Sequence, residues 1–294
     1  MKKLLLSILA LGFLFTLIGC SEEENYDIVT TMYTHYSFAK QIAGDEMTVK
    51  MLVPVGEEIH GFEASSQDMV LIKNAKLFIY TSDLIDTWIT DSNTIGGDQT
   101  IVLNMSKSIE TITDAHYWVD PSNAIDMIND IKDAIIEIDP THSTTYQANA
   151  DQVINDITTK SNEMKSYFSN ITSLPTTYVA GHNAFSLFGN YFGLTIVSIF
   201  NEFEPDSDLT SSELVTFVQN VLDAQTHYIF MEALEPPFSA NAIQSELQTS
   251  HQYELTILKL YAYQNVTQDQ FDQGLTYVDF MEINFQNIKT SLGA

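Results

Sequence analysis

The residues best suited to chemistry in this chain are three histidines, each in a short motif about sixty residues from the next. His60 lies in GEEIHGFEAS, His116 in DAHYWVDP and His182 in AGHNAFSLFGNYFGL. Imidazole is a preferred ligand of Zn²⁺, which takes about four nitrogen, oxygen or sulfur donors at tetrahedral positions. Ligands this far apart meet only through the fold, so the three motifs together predict a metal site assembled by the tertiary structure.

A lone histidine beside apolar residues is more often a buried structural side chain than a ligand, so the prediction depends on the set of three. Three histidines and a water also surround catalytic zinc ions, which lower the pKa of the water to about 7. The chain contains no HExxH helix, no nucleophile elbow and no arginine to clamp a substrate. We therefore expect a metal-binding protein and not an enzyme.

The charge of the chain restricts its partners. Twelve lysines stand against 39 acidic residues, which gives a formal net charge of −27. Nucleic acid is excluded as a partner because its phosphates require a basic surface. The acidic field attracts cations, although the same charge also serves solubility.

The first twenty residues predict export. Lys2 and Lys3 precede a mainly apolar run over residues 4–18, which is shorter than the roughly twenty residues that span a membrane. Cys20, the only cysteine, ends a Leu-x-Gly-Cys pattern that resembles the bacterial lipobox, where lipid is attached to the thiol. We expect a signal peptide at 1–19, a lipidated Cys20 opening an acidic spacer at 20–26, and no disulfide or thiolate metal cluster.

Strand and helix patterns alternate along the rest of the chain, which predicts an α/β fold with parallel sheets covered on both faces. An N-terminal lobe is expected at 27–140 and a C-terminal lobe at 171–294. Between them, residues 141–170 form a polar stretch with apolar residues at helical spacing: Tyr146, Val153, Ile157, Met164 and Phe168. A helix of that length spans roughly 45 Å and predicts a rigid connection.

The three histidines take similar places in this scheme. His60 follows the second predicted strand, His116 precedes the helix that begins at Pro121, and His182 follows the first strand of the second lobe. Ligands of open α/β sheets bind at the carboxyl ends of strands. The metal site is therefore expected in the cleft between the lobes.

Motifs along the whole mature chain resemble the family of zinc-binding and manganese-binding receptors that serve ABC importers. They are TTMYTHYSFAKQIAGDE, LVPVGEEIHGFEAS, KNAKLFIYTSDLIDTW, AHYWVDP, DPTHSTTYQANADQ, AGHNAFSLFGNYFGL, EFEPDSDLTSSEL, IFMEALEPPFSANAI and GLTYVDFMEINFQNIK. The resemblance implies two Rossmann-like lobes joined by a rigid helix, one metal ion in the cleft, and docking onto a membrane permease.

The resemblance also bears on the metal and its fourth ligand. Manganese-type members have an acidic ligand where His182 stands, so the third motif indicates zinc, and three neutral imidazoles suit Zn²⁺ better than Mn²⁺. Many members carry an acidic fourth ligand where this chain has Gln264 and Asn265. The fourth position is then Gln264, a water or another group, with His35 at the end of the first strand as a further candidate. Residues 90–113 also lack the histidines of the metal-gathering loop found in many zinc-type members.

The sequence therefore predicts an extracytoplasmic, lipid-anchored solute-binding protein that captures Zn²⁺ and delivers it to an ABC importer permease. Two alternatives remain, a surface adhesin that uses the metal structurally and a manganese receptor. Glu63 and Asp120 are expected to hold the rings of His60 and His116 through carboxylate hydrogen bonds. Capping or solvation explains those two acidic residues equally well.

Overall fold

A computed structural model describes residues 25–109, 114–200 and 209–293. The predicted signal peptide at 1–19 and Cys20 lie outside these residues. Within the described part of the chain, no helix has the length and apolar character needed to cross a membrane. The described residues form two four-stranded sheets that follow one another along the chain.

The first sheet has the strand order β2-β1-β3-β4, and every pairing in it is parallel. All four residues of the third strand are buried, because helices cover both faces of the sheet. The strands of this lobe are β1 (Ile28–Thr30), β2 (Val49–Met51), β3 (Leu77–Tyr80) and β4 (Ile101–Asn104). The helices are α1 (Tyr33–Ala43), α2 (Ser66–Asn74) and α3 (Pro121–Ile138).

The second sheet repeats the arrangement of the first, with the parallel order β6-β5-β7-β8. Its strands are β5 (Thr177–Val179), β6 (Ile196–Ser198), β7 (Tyr228–Glu232) and β8 (Thr256–Leu260). Its helices are α5 (Ser186–Phe192), α6 (Ser211–Ala224), α7 (Phe238–His251), α8 (Gln268–Gln273) and α9 (Tyr277–Ser291). In each sheet the first strand lies between the second and the third, so the connections that follow neighbouring strands run in opposite directions. Such a reversal of strand order opens a crevice at the carboxyl ends of the strands, where ligands bind.

The connecting helix α4 comprises Ser143–Ser169, 27 residues with a length of about 40 Å. It begins after a short 3-10 turn over Pro140–His142. All five apolar residues that the spacing singled out are buried. The helix packs against α1 and α3 of the first lobe and against α9 of the second. Its buried face is therefore shared between the two lobes.

The largest apolar cluster is continuous through both lobes. It includes Ile28 in β1, Ile157 on α4, Phe188 on α5 and Phe285 on α9. The prediction of two parallel α/β lobes joined by a long helix is confirmed. The sequence pattern did not predict α8, whose six residues are too few to show a helical period.

Candidate metal centre

The three motif histidines converge between the lobes. His60 lies in the loop after β2, His116 directly before a 3-10 turn over Tyr117–Val119, and His182 in the loop after β5. The Nε2 atom of His116 lies 3.2 Å from Nε2 of His60 and 3.2 Å from Nε2 of His182. Within the described residues these histidines are the one group of His, Cys, Asp and Glu side chains close enough together to hold a metal ion.

Each of the three imidazoles has a carboxylate at its other ring nitrogen. Glu58 accepts hydrogen bonds from both the backbone N–H and Nδ1 of His60. Asp114 accepts from the backbone N–H of His116 at 2.8 Å, and one of its oxygens lies 3.4 Å from Nδ1 of the same residue.

The third carboxylate comes from the end of a strand. Glu232, the last residue of β7, lies with Oε2 3.5 Å from Nδ1 of His182. Carboxylates in this position fix the ring orientation and the tautomer of a metal-binding histidine.

These carboxylates determine which ring nitrogens face one another. A proton on Nδ1 that points to a carboxylate leaves Nε2 with an unprotonated lone pair. Three such lone pairs converging at short range repel one another unless a cation lies among them. Nitrogen ligands about 2.0–2.1 Å from a tetrahedral zinc ion stand about 3.3 Å apart, close to the two 3.2 Å separations found here.

Burial keeps two of the imidazoles neutral and ready to bind a cation. His116 and His182 are almost fully buried. Loss of hydration, together with the neighbouring imidazoles, lowers the pKa of His182 to about 3. Burial also lowers the pKa of His116, although the carboxylate of Asp114 opposes that effect. A neutral imidazole is the form that coordinates metal.

The surrounding carboxylates supply negative charge. Burial raises the pKa of Glu58 and of Asp114, but hydrogen bonds to each carboxylate have a larger opposite effect and leave both pKa values below the usual range. Glu58 accepts from His60. Asp114 accepts from His116 and Ser186. Glu58 also contacts Glu235 of the second lobe.

Glu232 behaves in the opposite way, because complete burial and the charge of Glu58 raise its pKa well above the usual range. A bound divalent cation is the largest local charge in such a site and favours ionised carboxylates around it.

Gln264 is 5% exposed, and its Oε1 atom is buried without a hydrogen-bond partner among the described residues. A buried amide oxygen without a partner is free to accept a bond from a ligand or water. Asn265, the neighbouring amide, has both side-chain atoms hydrogen-bonded to backbone groups and is not available as a ligand.

His35 lies outside the cluster of three histidines. It is completely buried, and neither of its ring nitrogens has a hydrogen-bond partner in the described structure. Burial without a partner lowers its pKa to about 3. This imidazole belongs to the first turn of α1, not to the end of the first strand, and is a neutral, buried side chain.

The carboxylates that hold the rings are not the ones expected. Glu63 is exposed, and Asp120 caps α3 by accepting from the backbone N–H of Ser122 at 2.8 Å. Glu58 and Asp114 instead stand two residues before their histidines, a spacing that is visible in the sequence. Glu232 gives no local signal, since it is 50 positions from His182 (232 − 182).

Comparison with known proteins agrees with this geometry. Residues 28–291 match the family model of ZnuA, the periplasmic component A of a zinc-uptake complex. The chain belongs to the ZnuA family. Members of this family are substrate-binding receptors of ABC transporters and not enzymes.

Two curated relatives show the extent of the similarity. The high-affinity zinc uptake system protein ZnuA of Bacillus subtilis is 24% identical over 302 residues, which cover 92% of this chain and 89% of that protein. The zinc-binding lipoprotein AdcA of Streptococcus pneumoniae is 25% identical over 315 residues, 98% of this chain but 61% of that protein. The chain thus spans less than two thirds of AdcA.

Solved structures share the fold. The metal-dependent lipoprotein YcdH of Bacillus subtilis has a TM-score of 0.77 at 24% identity, and the aligned region covers 90% of this chain and 98% of the YcdH chain. The Zn(II)-bound ZnuA-like domain of Streptococcus pneumoniae AdcA has a TM-score of 0.76 at 24% identity, and the aligned region covers 91% of this chain and 99% of that domain. The laminin-binding protein Lbp of Streptococcus pyogenes has a TM-score of 0.74 at 25% identity, and the aligned region covers 90% of this chain and 99% of the Lbp chain.

Proposed function

We propose that this protein is a lipid-anchored extracytoplasmic receptor that binds one Zn²⁺ ion and delivers it to the permease of an ABC importer. The observation that carries the proposal is the convergence of three Nε2 atoms, each on a ring whose Nδ1 faces a carboxylate. Membership of the ZnuA family and the names of the zinc-uptake relatives support the same function.

Zinc is favoured over manganese by the chemistry of the donors. His60, His116 and His182 offer neutral nitrogen, whereas Mn²⁺ prefers carboxylate and water oxygen. The nearby acidic groups Glu58, Asp114 and Glu232 face Nδ1 atoms and not the point where the Nε2 atoms meet. An equilibrium competition between the two metals tests this preference, and tighter binding of Mn²⁺ would contradict it.

The ligands are tested by substitution in the mature chain. His60→Ala, His116→Ala and His182→Ala should each lower zinc affinity by a factor of at least about 100, because each removes one of the nitrogen donors. His251→Ala is the matched control, since this exposed histidine lies at the end of α7. Titration calorimetry should give one zinc per chain in the wild type. Full affinity in any of the three variants removes that residue from the site.

The proposed fourth ligand is the amide oxygen of Gln264 or a water beside it. Gln264→Glu should tighten zinc binding, because an anionic oxygen replaces a weak neutral donor. Gln264→Ala should cost much less than loss of any of the three histidines. If neither substitution changes the affinity, Gln264 does not face the metal.

The surface around the cleft supports docking to a membrane partner. Leu84, in the loop after β3, is 60% exposed, and Phe238, at the start of α7 after β7, is 79% exposed. β3 and β7 are the corresponding third strands of the two sheets. Each lobe therefore presents one large apolar side chain beyond the carboxyl end of the same strand. Phe238 also borders a cavity of about 540 Å³ that reaches His182.

Delivery is tested by changing these side chains without changing the metal site. Leu84→Asp and Phe238→Asp should abolish growth under zinc limitation while zinc affinity stays within about twofold. Val70→Asp and Val215→Asp are the controls, since these residues are 44% and 65% exposed but lie on the helices α2 and α6. Normal growth of both cleft variants would exclude these side chains from permease docking.

The lipid anchor is proposed from the motif that ends at Cys20. Cys20→Ser should abolish metabolic labelling with a fatty acid and leave the signal peptide uncut. A single acyl chain binds membranes only weakly, so stable retention requires the full lipid modification. Unchanged labelling and membrane retention in this variant would contradict the proposed anchor.

The observation in favour of the adhesin alternative is the fold likeness to laminin-binding proteins. A shared fold does not establish a shared function. Deletion separates the two functions, because a zinc receptor is required under zinc limitation, and added zinc restores growth. An adhesin is required for surface attachment whatever the zinc supply.

A further inference from the structure

The segment that follows β8 joins the second lobe to the first through its backbone. Three successive carbonyl oxygens, those of residues 262, 263 and 264, each accept a hydrogen bond from the first lobe. The donors are Trp118 Nε1 at 2.7 Å, the Thr34 hydroxyl at 2.7 Å and the Tyr33 backbone N–H at 3.0 Å, in that order.

The backbone of this segment has an uncommon conformation. Tyr263 has φ of 64°, a left-handed value that costs a bulky residue of the order of 1 kcal/mol or more. Surrounding contacts must maintain such a conformation. Here they include the hydrogen bond from Thr34 to the Tyr263 carbonyl.

Asn265 continues the connection through its side chain. Its Nδ2 atom donates to the carbonyl oxygens of Pro54 at 2.8 Å and Glu57 at 2.6 Å. Its Oδ1 atom accepts from the backbone N–H of Val266 at 2.8 Å and of Gly56 at 3.4 Å. An amide side chain has two donor hydrogens and two acceptor lone pairs, so all four are used. The side chain is also buried, at 3% exposure.

The loop that Asn265 holds is the one that carries His60. Glu58, the residue after the Glu57 carbonyl, accepts from the backbone and the ring of His60. Hydrogen bonds from Asn265 to residues 54–57, the peptide bond from Glu57 to Glu58, and the hydrogen bonds of Glu58 thus connect the second lobe to the His60 imidazole. His182 belongs to the second lobe, so the distance between these two metal-facing rings depends on how firmly the loop is held.

We propose that Asn265 is a positioning residue of the zinc site, which locks the His60 loop of the first lobe onto the second lobe without touching the metal. This inference rests on the proposed zinc-binding function. It assigns a different role to a position where an acidic ligand was expected from the resemblance to other receptors.

Asparagine is the residue that the surroundings require. An aspartate of the same size can accept from the N–H groups of Gly56 and Val266, but it has no hydrogens for the carbonyls of Pro54 and Glu57. Its negative oxygen would lie next to two carbonyl oxygens, which is repulsive. Alanine would leave the four backbone groups without their partner while creating no such repulsion.

The experiment compares Asn265→Asp and Asn265→Ala with the wild-type mature chain. Asn287→Asp is the matched control, because Asn287 also donates from Nδ2 to a backbone carbonyl, that of Lys259 at 2.8 Å, but on the exposed face of the second lobe. Three quantities are measured: zinc affinity by chelator competition, the visible spectrum of bound Co²⁺, and amide hydrogen exchange of residues 55–60 without metal.

Both Asn265 variants should bind zinc on the order of ten- to a hundredfold more weakly, as when other groups that orient metal ligands are removed. Exchange of residues 55–60 should rise while exchange in α4 is unchanged, which shows that the protein is folded. The Co²⁺ spectrum should keep its nitrogen-ligand position but lose intensity of the tetrahedral bands. The control should match the wild type in all three measurements.

Two results would overturn the proposal. Tighter zinc binding by Asn265→Asp would make residue 265 a ligand, and unchanged loop exchange in both variants would show that Asn265 does not hold the loop. A wild-type chain that binds no zinc would instead refute the proposed function. The metal-free exchange data would still show whether the loop depends on Asn265, so the two failures are distinguishable.

Discussion

Zinc affinity should resist mild acid far better than the affinity of a site built from three solvated histidines. Protons compete with metal for imidazole, and an imidazole with a pKa of about 6.5 loses about elevenfold in apparent affinity at pH 5.5. Three such ligands lose roughly a thousandfold. Burial lowers the pKa of His182 to about 3 and lowers the pKa of His116 as well. His182 therefore stays neutral at pH 5.5, so about tenfold of that loss should be absent, and the lowered pKa of His116 reduces the loss further.

The assay is competition with a chelator at pH 7.5 and pH 5.5, corrected for protonation of the chelator itself. Calorimetry in buffers of different ionisation enthalpy then counts the protons released on binding. Between the two pH values zinc affinity should fall by about a hundredfold or less, and fewer than three protons should be released at pH 5.5, because His182 carries none. A fall of about a thousandfold with three protons released at pH 5.5 would refute the assignment of neutral, buried ligands.

Three further predictions concern stability and charge. His35→Leu should remove part of the acid sensitivity of the metal-free protein. The pKa of His35 is about 3 in the folded state and about 6.5 in the unfolded state, so the protein loses stability as pH falls below 6.5. At pH 5.5 this residue accounts for a loss of about 1.4 kcal/mol in the free energy of unfolding. Urea unfolding at pH 7.5 and 5.5 measures it, and an equal loss in wild type and variant counts against it. Glu232→Gln keeps an acceptor near Nδ1 of His182 but removes the charge, so zinc affinity measured by calorimetry should fall on the order of tenfold; an unchanged affinity would show that this charge is unimportant. Gly97→Ala should lower the unfolding free energy by about 1–3 kcal/mol, because the new Cβ would lie 2.2 Å from the Lys73 carbonyl oxygen; unchanged thermal stability would mean that the loop adapts freely.

The elements of the fold were largely predictable because their causes are local. Apolar residues at helical spacing marked the buried face of α4, and each of the five named positions is buried. The start of that helix was placed two residues early, since a 3-10 turn over Pro140–His142 precedes it. Periodicity indicates that a helix is present more reliably than it fixes where the helix begins.

In the metal centre, too, the contacts between residues close in sequence were the predictable ones. Glu58 and Asp114 stand two residues before their histidines, so short-range geometry connects each pair, and the sequence contains that information. The acidic residues first considered, Glu63 and Asp120, follow their histidines instead. One is exposed and the other caps a helix.

The sequence by itself determined which three histidines are the candidate metal ligands, the acidic net charge, and the alternation of strands and helices that brings strand ends together. It did not determine that Glu232 faces His182, or that Asn265 holds the loop of His60. The chain separates these partners by 50 and 205 positions (232 − 182 and 265 − 60), and no local pattern connects them. The pairing of β5 with β7 in the second sheet brings Glu232 to His182, and the packing of the two lobes on a shared core brings Asn265 to the loop of His60.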